Sequence, residues 1–445
     1  MFSGLKKMFG SEPKAAPPPA PAGENPSTSP ATPPVPDAAL PSGLAAFLCR
    51  EPVFDRKNRP VGHLFRLHQT ASRAALQRAL DQALLDTLLG AAETPAGLVF
   101  VPLGSDSLDL PAVDRIASAN FILLVELAPD ADGAALAARL GELAERGIRC
   151  GLFRQPKNPA FALAIGQAAL GAIDVAASDP AAVRDFSAAI RGNRQQQLLF
   201  ACGIDTLDDH QLCLQWHYDY LQGRFAASAP PRPAPAGGDP HKMLLLNLMR
   251  LVQGEAETAE IAEAMKHDPA VAFRILRYLN SPALGLTHRI DSLSHALIIL
   301  GRQRLTRWLS VLIFSVRQPE LGDWLLVEDA LTRARLMELL GAQLLPGRST
   351  DPLFLTGVFS CLDRLLHLPL DKALDAMPLA DDVRAAVLER RGPYAELLAV
   401  AEACASLDPP RMEEAARQVG LDAETLNRAL LAATAWAAEV TEHWE

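Results

Sequence analysis

The chain has 445 residues and a formal net charge of -10. A chain of this length exceeds one ordinary hydrophobic core, so we expect two or three domains. The acidic balance disfavours sequence-independent nucleic-acid binding, which depends on a broad positive field. No apolar stretch is long enough to span a bilayer, and six scattered cysteines without a CxxC pair or a secretory signal predict a cytoplasmic protein with reduced thiols.

Two segments of low complexity divide the chain. Residues 1–44 are predicted to be a disordered tail, because Pro, Ala, Ser and Thr dominate from Ser11 to Pro41. The ten residues before that stretch could form a short amphipathic anchor, although ten residues are few for an isolated helix. The sequence "SAPPRPAPAGGDP", residues 228–240, mixes stiff proline with flexible glycine and predicts an interdomain linker.

Residues 45–227 alternate short apolar runs with helical patterns. The runs are "GLVFVPL", "NFILLVEL", "GIRCGLF", "AIDVAAS" and "QLLFACGI", and an amphipathic segment lies between Ala131 and Arg146. This alternation predicts βα units around a parallel sheet, in a TIM-type α/β barrel. The segment is shorter than the roughly 250 residues typical of that barrel, so we expect some helices or a strand to be reduced or missing.

Residues 241–445 show only the spacing of helices. Apolar residues recur on one helix face, for example at Leu245, Leu248, Met249 and Val252. The segment predicts an all-α domain, so the whole chain is predicted to be multidomain.

A His-Asp pair, His267-Asp268, stands just before Pro269. Such a pair can hold a metal ion, but proline favours the first turn of a helix and an aspartate before it caps the helix. No further ligands nearby would complete a metal shell. We therefore interpret the pair as a helix start.

The stretches "DPAVAFRILRYLNSPALG" and "SLSHALIILGRQRLTRWL" resemble the HDOD domain, a bacterial signalling relative of the HD phosphohydrolases. The sequence from Thr356 to Leu398 is similar to the end of HDOD domains that are fused to an EAL-type domain. By this resemblance, Gly357 to Asp363 correspond to the helix that carries the metal-binding His-Asp pair in the HD enzymes. That position reads Ser360-Cys361 here, so the resemblance implies a lost HD site.

The segment "CREPVFDRKNRPVGHLFRLH" in turn resembles the opening of EAL domains, the phosphodiesterases of cyclic di-GMP, which hold two metal ions. Asp55 and Arg56 fit the opening strand and turn. By this resemblance, Leu64 stands at the position of the family's signature glutamate, and Pro102 lies near that of an expected asparagine. Glu126 fits the position of an acidic ligand.

Further along, the resemblance places an adjacent acidic pair on Phe153-Arg154 and a lysine near Ala176 or Ala177. Asp205 takes the position of a late Glu. Only "YLQGRF", with Gln222 and Gly223, keeps the closing ligand-contact motif. The resemblance thus implies a shortened, degenerate EAL barrel with no metal or other cofactor and no catalytic residues. The candidate relict ligand-binding residues are Glu126, Asp205, Gln222 and Gly223.

Three functions follow as hypotheses. The first is a non-enzymatic bacterial signalling regulator that acts through contacts with other signalling proteins, with homo-oligomers possible. The second is a cyclic di-GMP receptor that binds without hydrolysis, in which Gln222, Gly223 and Arg154 contact the nucleotide.

The third is nucleic-acid binding by the α domain through Arg302, Arg304 and Arg307. From residue 241 to 317 we count 10 Lys+Arg against 6 Asp+Glu, a modest excess of 10 - 6 = +4. A solvated helix face gives the same pattern, so nucleic acid is an unlikely partner.

Overall fold

The computed structural model describes the barrel half and most of the helical half. The described residues are 46–68, 76–91, 97–193, 196–225, 239–254, 256–265, 293–314, 321–374 and 379–441. The predicted tail and most of the predicted linker lie outside them.

Eight strands close into a barrel in the order of the chain. Strand β1 is antiparallel to both of its neighbours, β2 and β8, and the remaining neighbours are parallel. The strands are β1 (Phe47–Asp55), β2 (Pro60–His68), β3 (Leu98–Gly104), β4 (Phe121–Glu126), β5 (Arg149–Phe153), β6 (Leu170–Asp174), β7 (Leu198–Cys202) and β8 (Tyr220–Gln222). The α/β barrel that the sequence predicts is therefore confirmed.

The helices of the barrel explain why this half of the chain is short. They are α1 (Gln77–Leu89), α2 (Pro111–Asp114), α3 (Gly133–Glu145), α4 (Pro159–Ala164), α5 (Pro180–Asn193) and α6 (Leu207–Gln215). Helices α2 and α4 have 4 and 6 residues, and a tight turn at residues 56–59 joins β1 directly to β2. The expected reduction therefore falls on helices and connections, while eight strands close the barrel.

The barrel interior is packed with side chains. An inner cluster of buried residues lies within the ring of strands and comprises Val53, Leu64, Phe100, Ile122, Leu124, Phe153, Leu170, Ala172, Phe200 and Cys202. Its members come from alternate positions along each strand, as the pleat of a strand requires. The rings of Phe100 and Phe200 stack with their centroids 5.1 Å apart.

Every regular element that the structure describes in the second half is a helix, which confirms the predicted all-α region. Its helices are α7 (Pro240–Gln253), α8 (Thr258–Met265), α9 (Leu293–Leu312), α10 (Leu321–Leu344), α11 (Asp351–Phe359), α12 (Leu362–Leu366), α13 (Leu370–Leu374), α14 (Asp381–Arg384), α15 (Pro393–Ser406), α16 (Pro409–Gln418) and α17 (Ala423–Thr441). Helix α9 kinks at Gly301, whose φ is 73°. Among the helices that the structure describes, none combines the length and the apolar character that a bilayer crossing requires.

The helical half packs against the open edge of β1. Strand β8 pairs only with the stretch from Val53 to Asp55, so β8 leaves the start of β1 without a partner strand on that side. Asn427 of α17 takes that place: its side chain accepts the Leu48 N–H at 2.8 Å and donates to the Ala46 carbonyl at 2.9 Å. These bonds satisfy backbone groups that are costly to bury unpaired.

A second contact between the halves is ionic. The side chains of Arg50 and His63, on β1 and β2, both bond to the carboxylate of Glu328 on α10, with His63 Nε2 at 2.7 Å from Glu328 Oε1. Burial, helped by the charge of Arg50, lowers the pKa of His63 to about 3. The ring is therefore neutral near pH 7, and its bond to a carboxylate places the proton on Nε2. We call these three residues the interdomain cluster.

Candidate functional site

The barrel mouth is the edge at which the parallel strands β2 to β8 end and β1 begins. Barrel enzymes carry their chemistry at this edge, because loops and strand ends from the whole ring converge there. Every position that the sequence assigns to a barrel site lies in these strands or in the residues that follow them. The mouth is therefore the first candidate site.

Two of the predicted degenerate positions, Leu64 and Phe153, lie inside the barrel. Leu64 has no exposed surface and lies opposite Phe100 in the pairing of β2 with β3. Phe153 ends β5 and belongs to the same inner cluster. Neither side chain has an oxygen or nitrogen atom to offer a cation. Both instead fill the space beneath the mouth.

Pro102 and Arg154 occupy neighbouring parts of the same edge. Pro102 lies within β3, opposite Leu124 of β4. Arg154 directly follows β5, where its backbone N–H donates to the Ala172 carbonyl at 2.7 Å and its side chain is half-buried. Arg154 therefore continues the strand pairing beyond β5, while its side chain adds a positive charge near the mouth.

The two acidic candidates differ in their surroundings. Glu126 is exposed at the end of β4, and no other residue in the described part of the chain forms a hydrogen bond or ion pair with its carboxylate. Asp205 accepts from Arg224 Nε at 3.2 Å, in a pair that is well exposed on both sides. An exposed pair of this kind contributes little to stability. A relict ligand-binding role for either residue stays a prediction of the sequence.

Gln222 and Gly223 close the barrel. The buried Gln222 side chain donates to Glu51 Oε2 at 2.5 Å and accepts the Gly203 N–H at 3.2 Å. Gly223 has a φ of 155°, and a Cβ there would lie 2.1 Å from the Ile204 carbonyl oxygen. This close backbone approach requires glycine. The motif therefore has a structural role in joining the last strands to the first.

The mouth also contains charged residues that the sequence reasoning did not select, namely Glu51, Arg66 and Asp174. Burial raises the pKa of the Cys202 thiol to about 12, and the carboxylates of Asp174, Glu126 and Glu51 act in the same direction while Arg66 opposes them. All of these charges therefore converge near the end of β7. Strand alternation could have found them, because each lies two residues from a buried interior position.

The half-buried carboxyl group of Glu51 lies among charges of both signs at the mouth. Burial raises its pKa, against the opposing effects of Arg66, Arg224 and the hydrogen bond from Gln222. The Nε atom of Arg66 is itself buried without a hydrogen-bond partner in the described part of the chain. The mouth therefore mixes both signs of charge.

A pair of metal ions does not fit these residues. Each hard divalent ion takes about six oxygen ligands at about 2.0 to 2.6 Å. Among the described residues, no group of three or more His, Cys, Asp and Glu side chains is arranged to hold a metal ion. The interior below the mouth is lined by apolar side chains.

The helical half contains the second candidate site, which we call the helical slot and define by Ser360, Cys361, Arg333 and Asp329. Arg333 of α10 donates to Ser360 Oγ at 2.9 Å and to both carboxylate oxygens of Asp329, at 3.0 and 2.8 Å. The side chain of Arg333 is 8% exposed. A guanidinium therefore bonds directly to the first of the two residues at which the resemblance implies a lost metal-binding pair.

Arg364 completes this network. It donates to Asp329 Oδ2 at 2.5 Å and to Cys361 Sγ at 3.0 Å. Burial favours a raised pKa for Asp329, but Arg333 and Arg364 outweigh it and hold that pKa below its ordinary value. Burial raises the pKa of Cys361, which disfavours the reactive thiolate.

Other sequence candidates fall elsewhere. His267-Asp268 lies outside the described residues. Arg302 donates to the carbonyls of Val252, at 3.2 Å, and of Gly254, at 2.9 Å, beyond the end of α7. Arg307 is buried and pairs with Glu338 at 2.5 Å. Two of the three arginines in the nucleic-acid hypothesis therefore bind other parts of this chain and stabilise its fold.

Comparison with known proteins identifies the helical half. Residues 241–371 match the HDOD domain family. This segment is an HDOD domain. The match covers the first part of the predicted 241–445 region and includes the helical slot.

Two curated relatives are similar to the chain over longer segments. The cyclic di-GMP phosphodiesterase CdgJ of Vibrio cholerae is 25% identical over 303 residues, which are 67% of this chain and 69% of that protein. The uncharacterized protein YuxH of Bacillus subtilis is 26% identical over 238 residues, 52% of this chain and 57% of that protein.

Two solved structures show similarity to the chain at low identity. The phosphodiesterase PaMucR in its cyclic di-GMP complex has a TM-score of 0.33 and 16% identity, covering 40% of this chain and 89% of its own. The Bacillus subtilis YkuI protein, with an EAL domain, has a TM-score of 0.33 and 16% identity, covering 57% of this chain and 72% of its own.

Proposed function

We propose that this chain is a non-enzymatic signalling protein, in which a degenerate EAL barrel and an HDOD domain act through contacts with other proteins. The observation that carries the proposal is the kind of side chain that stands at the positions where the resemblance implies metal ligands. Leu64 and Phe153 pack the barrel interior, and the Arg333 guanidinium bonds to Ser360 in the helical slot. A hydrophobic interior binds no cation, and a guanidinium repels one.

The similarity to CdgJ sets the rival function. That protein is named a cyclic di-GMP phosphodiesterase. Hydrolysis of a phosphodiester by this chain would need metal ions at the mouth to activate water. Among the described residues, no group of three or more His, Cys, Asp and Glu side chains is placed to hold such an ion, and Arg66 adds a positive charge beside Glu51, which argues against that arrangement here.

A cyclic di-GMP receptor is the second candidate, and Arg66 is the observation that favours it. Its side chain lies at the mouth, two residues after the interior Leu64, with a buried Nε that lacks a hydrogen-bond partner among the described residues. An arginine fork suits the oxygens of a phosphodiester. The nearby carboxylate of Glu51 opposes an anion, so the protein-contact proposal takes precedence. A cytoplasmic location remains a prediction of the sequence.

Calorimetric titration of the full chain with cyclic di-GMP, with and without manganese, separates the three functions when the recovered nucleotide is then analysed by chromatography. Heat with intact nucleotide would support the receptor, and Arg66→Met should then abolish it while Arg115→Met, at an exposed position after α2, leaves it unchanged. No heat and no product would support the protein-contact proposal. Metal-dependent linear product would overturn both.

A further inference from the structure

Strand β1 carries two adjacent residues that face different parts of the molecule. Glu51 points to the barrel mouth, where it accepts the hydrogen bond from Gln222 at 2.5 Å. Arg50 points the opposite way, as alternation along a strand requires, and bonds to Glu328 of the helical half. One peptide unit therefore separates a mouth residue from an interdomain residue.

Helix α10 repeats this arrangement on the other side of the interface. Glu328 bonds to Arg50 and His63 of the barrel. The next residue, Asp329, accepts both bonds from Arg333, which in turn donates to Ser360 in the helical slot. One peptide unit again separates an interdomain residue from a slot residue.

The contacts along this path are charged and largely buried. The side chains of Arg50 and Glu328 are 11% and 16% exposed, and those of Arg333 and Asp329 are 8% and 18% exposed. Hydrogen bonds between charged groups are strong in such surroundings, and leaving one partner unpaired is costly. A displacement of one member therefore favours a matching displacement of its neighbour.

Further contacts across the interface restrain β1 and α10 as one unit. Asn427 of α17 is bonded to the backbone of β1 on both sides of Phe47, and α17 packs along α10. Near the mouth, Cys49 Sγ lies 3.9 Å from Met412 Sδ of α16. A shift of β1 is therefore transmitted to the helices that flank the slot.

We propose that β1 and α10 couple the barrel mouth to the helical slot, through the paired residues Arg50-Glu51 and Glu328-Asp329. A change at Glu51 and Gln222 alters the packing around Ser360 and Cys361 by way of Glu328. Coupling of this kind requires two distinct sites and a physical connection that both sites bias. The inference goes beyond the proposed function, because it holds whether the mouth meets a nucleotide or a protein.

The rate at which a thiol reagent labels Cys361 reports opening of the slot. All six cysteines are free and buried, so mass spectrometry can follow each one in the same sample of full-length protein. Cys150 and Cys213, in the barrel half, serve as internal controls. Glu328→Gln removes the acceptor charge of the interdomain cluster, and we expect about fivefold faster labelling of Cys361, within the usual range of coupling between sites. Labelling of Cys150 and Cys213 should stay within about twofold.

The second experiment combines the mouth variant Gln222→Ala with Glu328→Gln, which changes the interdomain cluster. Gln222→Ala should accelerate labelling of Cys361 in the otherwise unchanged chain and should add nothing in the Glu328→Gln background. Glu142→Gln, an exposed change on α3, is the matched control and should have no effect.

The proposal fails if Gln222→Ala leaves Cys361 unaffected, or if its effect persists in full after Glu328→Gln. Faster labelling of Cys150 in parallel with Cys361 would indicate loss of the barrel fold. The measurement is then repeated with the milder variant Glu51→Gln in place of Gln222→Ala. If the labelling of Cys150 and Cys361 again accelerates in parallel, the proposal is overturned. Turnover of cyclic di-GMP plays no part in this readout, so its outcome is distinguishable from that of the proposed function.

Discussion

The barrel interior and the helical slot are built from opposite kinds of side chain. In the barrel, apolar side chains such as Leu64 and Phe153 fill the interior and gain the free energy of hydrophobic burial. In the slot, an arginine pairs with a buried carboxylate, so the site stays polar and charged. Buried ion pairs add little net stability compared with apolar packing, but losing one partner is costly. The barrel interior therefore resembles an ordinary core, whereas the slot depends on complete pairing.

The largest effect is expected from placing a carboxylate in the barrel interior. Leu64→Glu should lower the free energy of unfolding by about 4 kcal/mol, because the charge would be buried without a cation. Denaturant unfolding of the full chain measures this loss, and Leu64→Met should cost less than about 1.5 kcal/mol. Manganese should not restore the stability of Leu64→Glu. A rise of several degrees in Tm on adding manganese would reveal a latent metal site. That result would contradict the contrast between the apolar barrel interior and the charged slot.

Removing the guanidinium from the slot should be the next most costly change. Arg333→Met leaves Asp329 with Arg364 as its remaining arginine partner and Ser360 without its donor, so we expect a loss of about 3 kcal/mol. Arg391→Met, at an exposed pair, is the control and should change stability by less than about 0.5 kcal/mol. Unchanged stability in Arg333→Met would show that the slot is not maintained by its ion pairs.

The interface between the regions provides a third test. Asn427→Ala leaves the Leu48 N–H and the Ala46 carbonyl buried without partners, which should cost about 2 kcal/mol. Asn247→Ala, on α7, removes a bond to Arg250 on the surface and should cost less than about 0.5 kcal/mol. The comparison is made by denaturant unfolding at one pH. Equal effects of the two changes would mean that the edge of β1 is not sealed by α17.

The smallest effect expected is a dependence on pH through His63. Its pKa is about 3 in the folded chain, against an ordinary value of 6.5 for a solvated histidine, so the unfolded chain binds the proton first as the pH falls. The contribution of the neutral His63 ring to the free energy of unfolding is complete above pH 6.5 and is lost progressively as the pH falls towards 3. We expect a loss of about 1 kcal/mol between pH ~7 and ~5.5. His63→Gln, which can still donate to Glu328, should remove this part of the pH profile, and an unchanged profile would contradict the assignment.

Much of the fold could be predicted from local patterns. The runs "NFILLVEL" and "GIRCGLF" contain β4 and β5, and the amphipathic stretch from Ala131 to Arg146 contains α3. Buried parallel strands are apolar and short, so their signal is strong in sequence. The shortening of α2 and α4 could not be assigned, because total length does not reveal which connections are reduced.

The site was less predictable for a different reason. Leu64, Phe153 and Gln222 could be located by resemblance, whereas Glu51 and Arg66 belong to no motif and could be reached only by counting two residues along the strand from the interior positions Val53 and Leu64. The bond from Arg50 to Glu328 spans 278 residues of sequence, and no local pattern encodes it. Likewise, only the packing of α10 on α11 shows that Arg333 reaches Ser360.

Turnover of cyclic di-GMP by the purified full chain tests the central claim most directly. The assay follows linear product by chromatography in the presence of manganese, with the related CdgJ protein measured in parallel as the reference for hydrolysis. We expect no metal-dependent product from this chain. Product that requires manganese and disappears in Glu126→Gln would contradict it, since it would show that the mouth still assembles a catalytic metal site.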